Sequence, residues 1–176
     1  MPKKERGKMK DWKRAKIFDF TGVTGAESSV KEFGESVTKT LRESPEEKLA
    51  IVLDTGYGLE GSAPVMVRDH INLSGFNPLI GPNHSIGERF PVVNDVYCAD
   101  ESNGLSLPKV VAAGVKVGRS VDNGDLEFIR SLGAQCYCFN LVPTMLIAAH
   151  AGWKIMAILG PEGTNWQKEC LAKLGR

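Results

Sequence analysis

Leu49-Ala50-Ile51-Val52-Leu53-Asp54-Thr55-Gly56-Tyr57-Gly58-Leu59 decides the fold. Its first five residues are an unbroken apolar run, the pattern of a strand covered on both faces, as parallel sheets require. The run stops in a glycine-rich turn. Upstream, Ala15 to Phe20 (AKIFDF) reads as a second short strand, and Thr21 to Gly25 as a Gly/Thr turn. Between the two strands, Val30, Phe33, Val37 and Leu41 recur at helical spacing. Ser29 is placed to start that helix, with Glu32 completing a capping box, and Ser44-Pro45 ends it. Strand, helix, strand in this order predicts a right-handed βαβ unit with two parallel strands.

Downstream, Val65 to Val67 is a β segment leading into a long constrained loop from Asp69 to Asn83. Pro78, Pro82, Gly75 and Gly81 restrict its backbone, and Asn72, Asn77 and Asn83 tolerate unusual angles. Connections of this length inside a compact domain are more often functional than idle. Glu101 to Pro108 reads as irregular. Val110 to Val117 is β-like, and Asp122 or Asn123 caps a helix whose stripe is Leu126, Ile129 and Leu132, closed by Gly133. Gln135 to Phe139 is a strand, and Pro143 sits in the first turn of a helix running to His150. Trp153 to Leu159 is a strand, and Asn165 caps a last helix through Leu174. Strands alternating with helices predict the α/β class: one domain, with a mixed, mostly parallel sheet flanked by helices.

The net charge of +1 is unevenly placed. Residues 1–16 carry eight Lys or Arg against Glu5 and Asp11, a balance of +6 that leaves −5 for the rest. Residues 1–14 are therefore expected to be a disordered, solubilising basic tail, and 15–176 the domain. No apolar run is long enough to span a bilayer, and no apolar core of a signal peptide follows the basic start. Cys98, Cys136, Cys138 and Cys170 form no paired framework. Neither membrane nor secretion is expected, and the compartment implied is the cytoplasm. Cys136 and Cys138, with His70, His84 and His150 elsewhere, lack a second pair at zinc spacing; buried thiols are expected and no metal. Trp12, Trp153 and Trp166 show no stacking pattern for nucleic acid.

The wording of the loop is specific. Arg68-Asp69-His70-Ile71-Asn72-Leu73, then Asn77-Pro78-Leu79-Ile80-Gly81-Pro82-Asn83, then Gly87-Glu88-Arg89-Phe90-Pro91 resemble the trimeric purine nucleoside phosphorylases and the methylthioadenosine phosphorylases. The resemblance runs with gaps from about Leu49 to Leu159. It implies a nucleoside-phosphorylase-like fold, a homotrimer, a purine or purine nucleoside as ligand, and a role in purine salvage as a pentosyltransferase. Inorganic phosphate would be co-substrate, with no cofactor. His70, Asn72, Asn77, Asn83 and Ile86 fall at the family's subunit contacts.

The resemblance also places a site. Ile51 to Leu59 matches the family's strand and Asn-Ala-Ala-Gly-Gly turn, which puts Thr55 and Gly56 on substrate. Here Asp54 replaces the Asn and Tyr57 a Gly, and Asp54 brings a negative charge to where phosphate would sit. Gly118-Arg119-Ser120-Val121-Asp122-Asn123 is similar to Gly-Pro-Ser-Phe-Glu-Thr, whose Phe packs on the base and whose Glu hydrogen-bonds it. Val121 and Asp122 take those positions, and Asp122 reads equally as a plain helix cap. Gly133 to Pro143 is similar to Gly-Ala-Asp-x-x-Gly-Met-Ser-Thr-Val-Pro. Phe139 thus stands at the ribose and Asn140 at the phosphate, where its amide could donate. Thr164-Asn165 is similar to the family's purine-reading Thr-Asn, about two residues out of step, and reads better as a cap.

The family's Gly-Ser-Gly-Leu-Gly phosphate loop and Arg-x-His segment have no match between Met1 and Ile51, nor has its ribose-binding His. Two functions are therefore expected from the resemblance. One is phosphate-dependent cleavage of the N-glycosidic bond of a purine nucleoside. The other is a catalytically degenerate nucleoside- or purine-binding protein, or an oligomeric partner. Asp54-Thr55-Gly56 also resembles the aspartic-protease triplet, but that chemistry needs a second matching carboxylate and the α/β pattern sets it aside.

Overall fold

The computed structural model describes residues 10–43, 48–82, 87–93, 95–101 and 104–176. Its strands are β1 (Lys16–Asp19), β2 (Leu49–Thr55), β3 (Val65–Asn72), β4 (Lys109–Gly114), β5 (Cys136–Cys138) and β6 (Lys154–Gly160). Its helices are α1 (Ala26–Glu43), α2 (Asn123–Ser131), α3 (Leu141–His150) and α4 (Trp166–Lys173). All six strands join one sheet in the order β1-β2-β6-β3-β4-β5. Among the described residues, four of the five strand pairings are parallel and β3–β6 is antiparallel. The mixed, mostly parallel α/β sheet expected from the sequence is the one observed.

The apolar run at 49–53 does what its composition predicts. Ala50, Val52 and their neighbours on one face enter a core with Phe33, Val37 and Trp153. Ile51 and Leu53 on the other enter a second core with Trp12, Met156 and Trp166. Two apolar layers thus cover β2, and at about 25 cal/mol per Å² of buried apolar surface they supply the main driving force. Trp12 is 1% exposed and lies in a short 3-10 turn, Trp12–Arg14. Trp12, inside the stretch expected to be tail, is therefore packed, because an indole of that area outweighs the charges beside it, while Lys13 and Arg14 stay exposed. Residues 1–9 lie outside the described residues.

Two further expectations are corrected. α1 starts at Ala26, so Ser29 is inside the helix, buried, with its hydroxyl donating to the Gly25 carbonyl at 3.4 Å. It is not a cap, and the buried stripe is Ser29, Phe33, Val37 and Thr40, with Leu41 half-buried. The helix stop expected at Ser44-Pro45 lies outside the described residues. β3 continues through Arg68-Asp69-His70-Ile71 to Asn72, where a loop was expected. β4 supplies the partner, with a register shift between Val67 and Asp69, so pairing overrides a polar local sequence.

Beyond β3 the loop is held by its own side chains. Asn72 accepts from the Ser74 amide (3.1 Å) and hydroxyl (2.6 Å) and donates to the Phe76 carbonyl (2.9 Å). Asn77 accepts from the Leu79 amide at 2.9 Å. His70 pairs through Nδ1 with the Tyr97 hydroxyl at 2.8 Å. Asn83, His84 and Ile86 lie outside the described residues. The next segment docks on the end of α3: His150 Nδ1 donates to the Glu88 carbonyl at 2.8 Å. A Cβ on Gly87 would fall 1.6 Å from the His150 carbonyl oxygen, so only glycine fits there.

The sheet also curls. Past the end of β2, Tyr57 pairs with Tyr137 of β5 as an antiparallel bridge, amide to carbonyl at 2.9 and 3.0 Å in the two directions. β5 is the edge strand farthest from β2 in sheet order. Bringing the two together closes β2, β6, β3, β4 and β5 into a ring, and the seam of that ring positions the site.

Candidate functional site

Parallel strands tend to leave ligand crevices at their carboxyl ends. A cavity of about 490 Å³ lies at the seam. It is lined by the turn after β1 (Gly22 to Thr24), the end of β2 (Asp54, Thr55, Tyr57), Val117 to Ser120 after β4, Phe139 and Asn140 after β5, and Glu162 after β6. Three stretches far apart in sequence, each singled out by the resemblance, therefore meet around one space.

At its inner end is Asp54, 1% exposed. Its carboxylate accepts from the Thr55 amide (2.9 Å), the Asn140 amide (3.2 Å), the Asn140 side-chain amide (3.3 Å) and the Leu141 amide (3.0 Å). Asn140 and Leu141 are the N-cap and first residue of α3, and Asn140 makes no cap bond of its own. Asp54 thus caps a helix that begins 87 residues later, with its charge at the positive end of the helix dipole. Burial pushes its pKa from 3.8 up to about 7, against the pull of the Asn140, Thr55 and Leu141 hydrogen bonds.

Asn140 is likewise committed. Its Nδ2 donates to the Val23 carbonyl at 2.9 Å as well as to Asp54. Exchanging the amide's oxygen and nitrogen would set oxygen against both acceptors, so the assignment is fixed by its partners. No donor remains on that amide for a phosphate oxygen. Its Oδ1 is buried without a hydrogen-bond partner.

An aromatic group forms one wall. Tyr57 stacks on Tyr137 (centroids 5.2 Å, planes 19° apart) and tilts against Phe139 at 5.2 Å. Burial, then the charges of Glu162 and Asp54, push the Tyr57 hydroxyl pKa up. The tyrosine in a glycine position is accommodated because it takes the extended bridge conformation, while Gly58 carries the positive φ of +70°. Opposite, Arg119 reaches the cavity with its Nη2 3.0 Å from Asp125.

The expected residues divide. Thr55, Phe139 and Asn140 line the cavity. Gly56 lies behind the wall, where a Cβ would meet the Leu159 side chain at 2.9 Å. Val121 lines a separate hollow with Leu73, Phe128 and Ile129. Asp122 caps α2 through the Asp125 amide at 2.8 Å, completing a capping box, and is not among the cavity residues. Asn165 is at the N-cap of α4 but makes no side-chain cap bond. Cys136 and Cys138 are buried thiols, the first pushed up to about 12 by burial. Arg119, Glu162 and the Gly22–Thr24 turn were not singled out from sequence. The turn was legible as Gly/Thr-rich, and its place after a parallel strand was the available signal.

The mixed sheet has its likeness among solved purine nucleoside phosphorylases. The structure of Schistosoma mansoni purine nucleoside phosphorylase in a complex with BCX-34 superposes with a TM-score of 0.61 over 73% of this chain and 57% of that one, at 22% identity. No family model matches the sequence. Purine nucleoside phosphorylase 1 of Bacillus subtilis is 33% identical over 104 residues, covering 53% of this chain and 38% of that protein. The Bos taurus purine nucleoside phosphorylase is 32% identical over 108 residues, covering 52% and 37%. The chain thus spans well under half the length of the curated relatives it matches. Over about half of its length, this chain is similar to the purine nucleoside phosphorylases.

Proposed function

We propose that this protein binds a purine nucleoside in the seam cavity and cleaves its N-glycosidic bond with inorganic phosphate, without a cofactor. The observation that carries the reading is the convergence of Asp54-Thr55, Gly118-Arg119-Ser120 and Phe139-Asn140 on one cavity large enough for a nucleoside. Thr55 offers a hydroxyl, Tyr57 and Phe139 an apolar face for the base or ribose, and Arg119 and Ser120 a cation and a donor for phosphate. Holding both reactants in line removes much of the entropic barrier, and a fixed cation stabilises the charge that develops. The trimer implied by the loop motif, the cytoplasmic location and purine salvage belong to the same proposal. Among the described residues no helix is long and apolar enough to cross a membrane.

One observation favours the second reading, nucleoside binding without turnover: the amides at the start of α3 already serve the Asp54 carboxylate. The two readings separate in an assay of inosine, guanosine and methylthioadenosine, with and without phosphate. Phosphate-dependent release of free base, reduced at least tenfold in kcat/KM by Arg119→Ala, supports phosphorolysis. Saturable binding with no release supports the second reading.

A further inference from the structure

Resting on the proposal that the seam cavity holds a nucleoside, we infer that its Asp54–Asn140 end is an acceptor site that receives a hydroxyl or amine donor of the ligand and excludes oxyanions. The groups that would hold an oxyanion are spent. The Asn140 and Leu141 amides at the start of α3 donate to Asp54 at 3.2 and 3.0 Å, and the Thr55 amide does so at 2.9 Å. The Asn140 side-chain amide donates to Asp54 and to the Val23 carbonyl. An entering phosphate would have to displace a carboxylate that is tethered, and so present at a high effective concentration. It would also meet that charge, and Glu162, across a poorly solvated space.

The second observation points to what does bind. Asn140 is 2% exposed, lines the cavity, and its Oδ1 has no hydrogen-bond partner. Buried acceptors of this kind are rare because leaving one unmade is costly. A ligand O–H or N–H would satisfy it, while a phosphate oxygen would oppose it. The sugar hydroxyls of a nucleoside are donors of the right class. Phosphate is then left to the opposite wall, where Arg119 supplies the positive charge.

The test is a set of amide chemical-shift titrations of the ¹⁵N-labelled chain with inosine, 2′-deoxyinosine, 3′-deoxyinosine and inorganic phosphate, at a pH above Asp54's pKa. The expected result is that inosine shifts the Asn140 side-chain amide and that one of the deoxy analogues binds about tenfold more weakly, the net worth of one hydrogen bond. Phosphate shifts at most the Arg119 and Ser120 amides. In Asp54→Asn, phosphate comes to shift the Asn140 and Leu141 amides. If that variant does not fold, Asn140→Ala serves instead: it removes the acceptor and abolishes the difference between inosine and the weaker deoxy analogue. Saturable phosphate shifts at Asn140 and Leu141 in the unmodified chain overturn the inference whatever inosine does, and equal binding of all three nucleosides overturns its donor half. If inosine moves no cavity amide while phosphate still avoids α3, the nucleoside reading of the cavity falls and the exclusion of oxyanions stands.

Discussion

Replacing Asp54 by alanine should open the seam of the sheet. The carboxylate joins the end of β2 to the start of α3 through three hydrogen bonds, two of them from backbone amides, and accepts a fourth from the adjoining Thr55 amide. Alanine leaves those donors in a place that is 1% exposed, out of reach of water. Each orphaned donor costs about 1–3 kcal/mol, and relief of the buried charge offsets part of the total. Net of that relief, the orphaned donors together should cost about 3–5 kcal/mol. With a urea m-value of about 2 kcal/mol/M, the unfolding midpoint should fall by about 2 M. Asp54→Asn keeps one acceptor oxygen and should lose about half as much. Trp12 and Trp153, both 1% exposed, report unfolding by fluorescence. An alanine variant whose midpoint stays within about 0.3 M of the parent, a change of under 1 kcal/mol, would refute the claim that this carboxylate holds the seam.

Other outcomes follow from the same geometry. Because the folded pKa of Asp54 (about 7) lies above its ordinary 3.8, the native state holds the extra proton between those values. This group's contribution is fully present below pH 3.8 and is lost as pH rises towards 7, so the stability of the parent measured in urea should decline over that window relative to Asp54→Asn. Gly160→Ala puts a Cβ 2.1 Å from the Trp166 ring and should destabilise by about 1–3 kcal/mol in the same assay. Asp122→Ala removes the α2 cap and should cost about 1 kcal/mol; calorimetric titration with inosine should show unchanged affinity, and a large loss would restore Asp122 to the base.

What the sequence disclosed depended on the range over which the information acts. The LAIVL run, the Gly133 stop (φ +95°) and the Asp122 cap are local, and each was legible from a few residues. The extension of β3 through Arg68 to Asn72 was hidden because β4, about forty residues on, supplies the pairing. Asp54 was noticed for its charge, yet its partners at Asn140 and Leu141 are visible only once the sheet has curled. The repulsion expected between Asp54 and phosphate now has a structural form, since the carboxylate lies on the amides that an anion would use. Arg119 stood inside a quoted motif and was passed over because its neighbour Asp122 carried the family's chemistry.

Phosphorolysis in the seam cavity is best checked by initial rates of hypoxanthine release from inosine as inorganic phosphate is raised from none to saturation. It predicts a hyperbolic dependence on phosphate, with ribose 1-phosphate as the second product. Release that is indifferent to phosphate, or a folded protein that neither binds inosine nor frees its base, would contradict it.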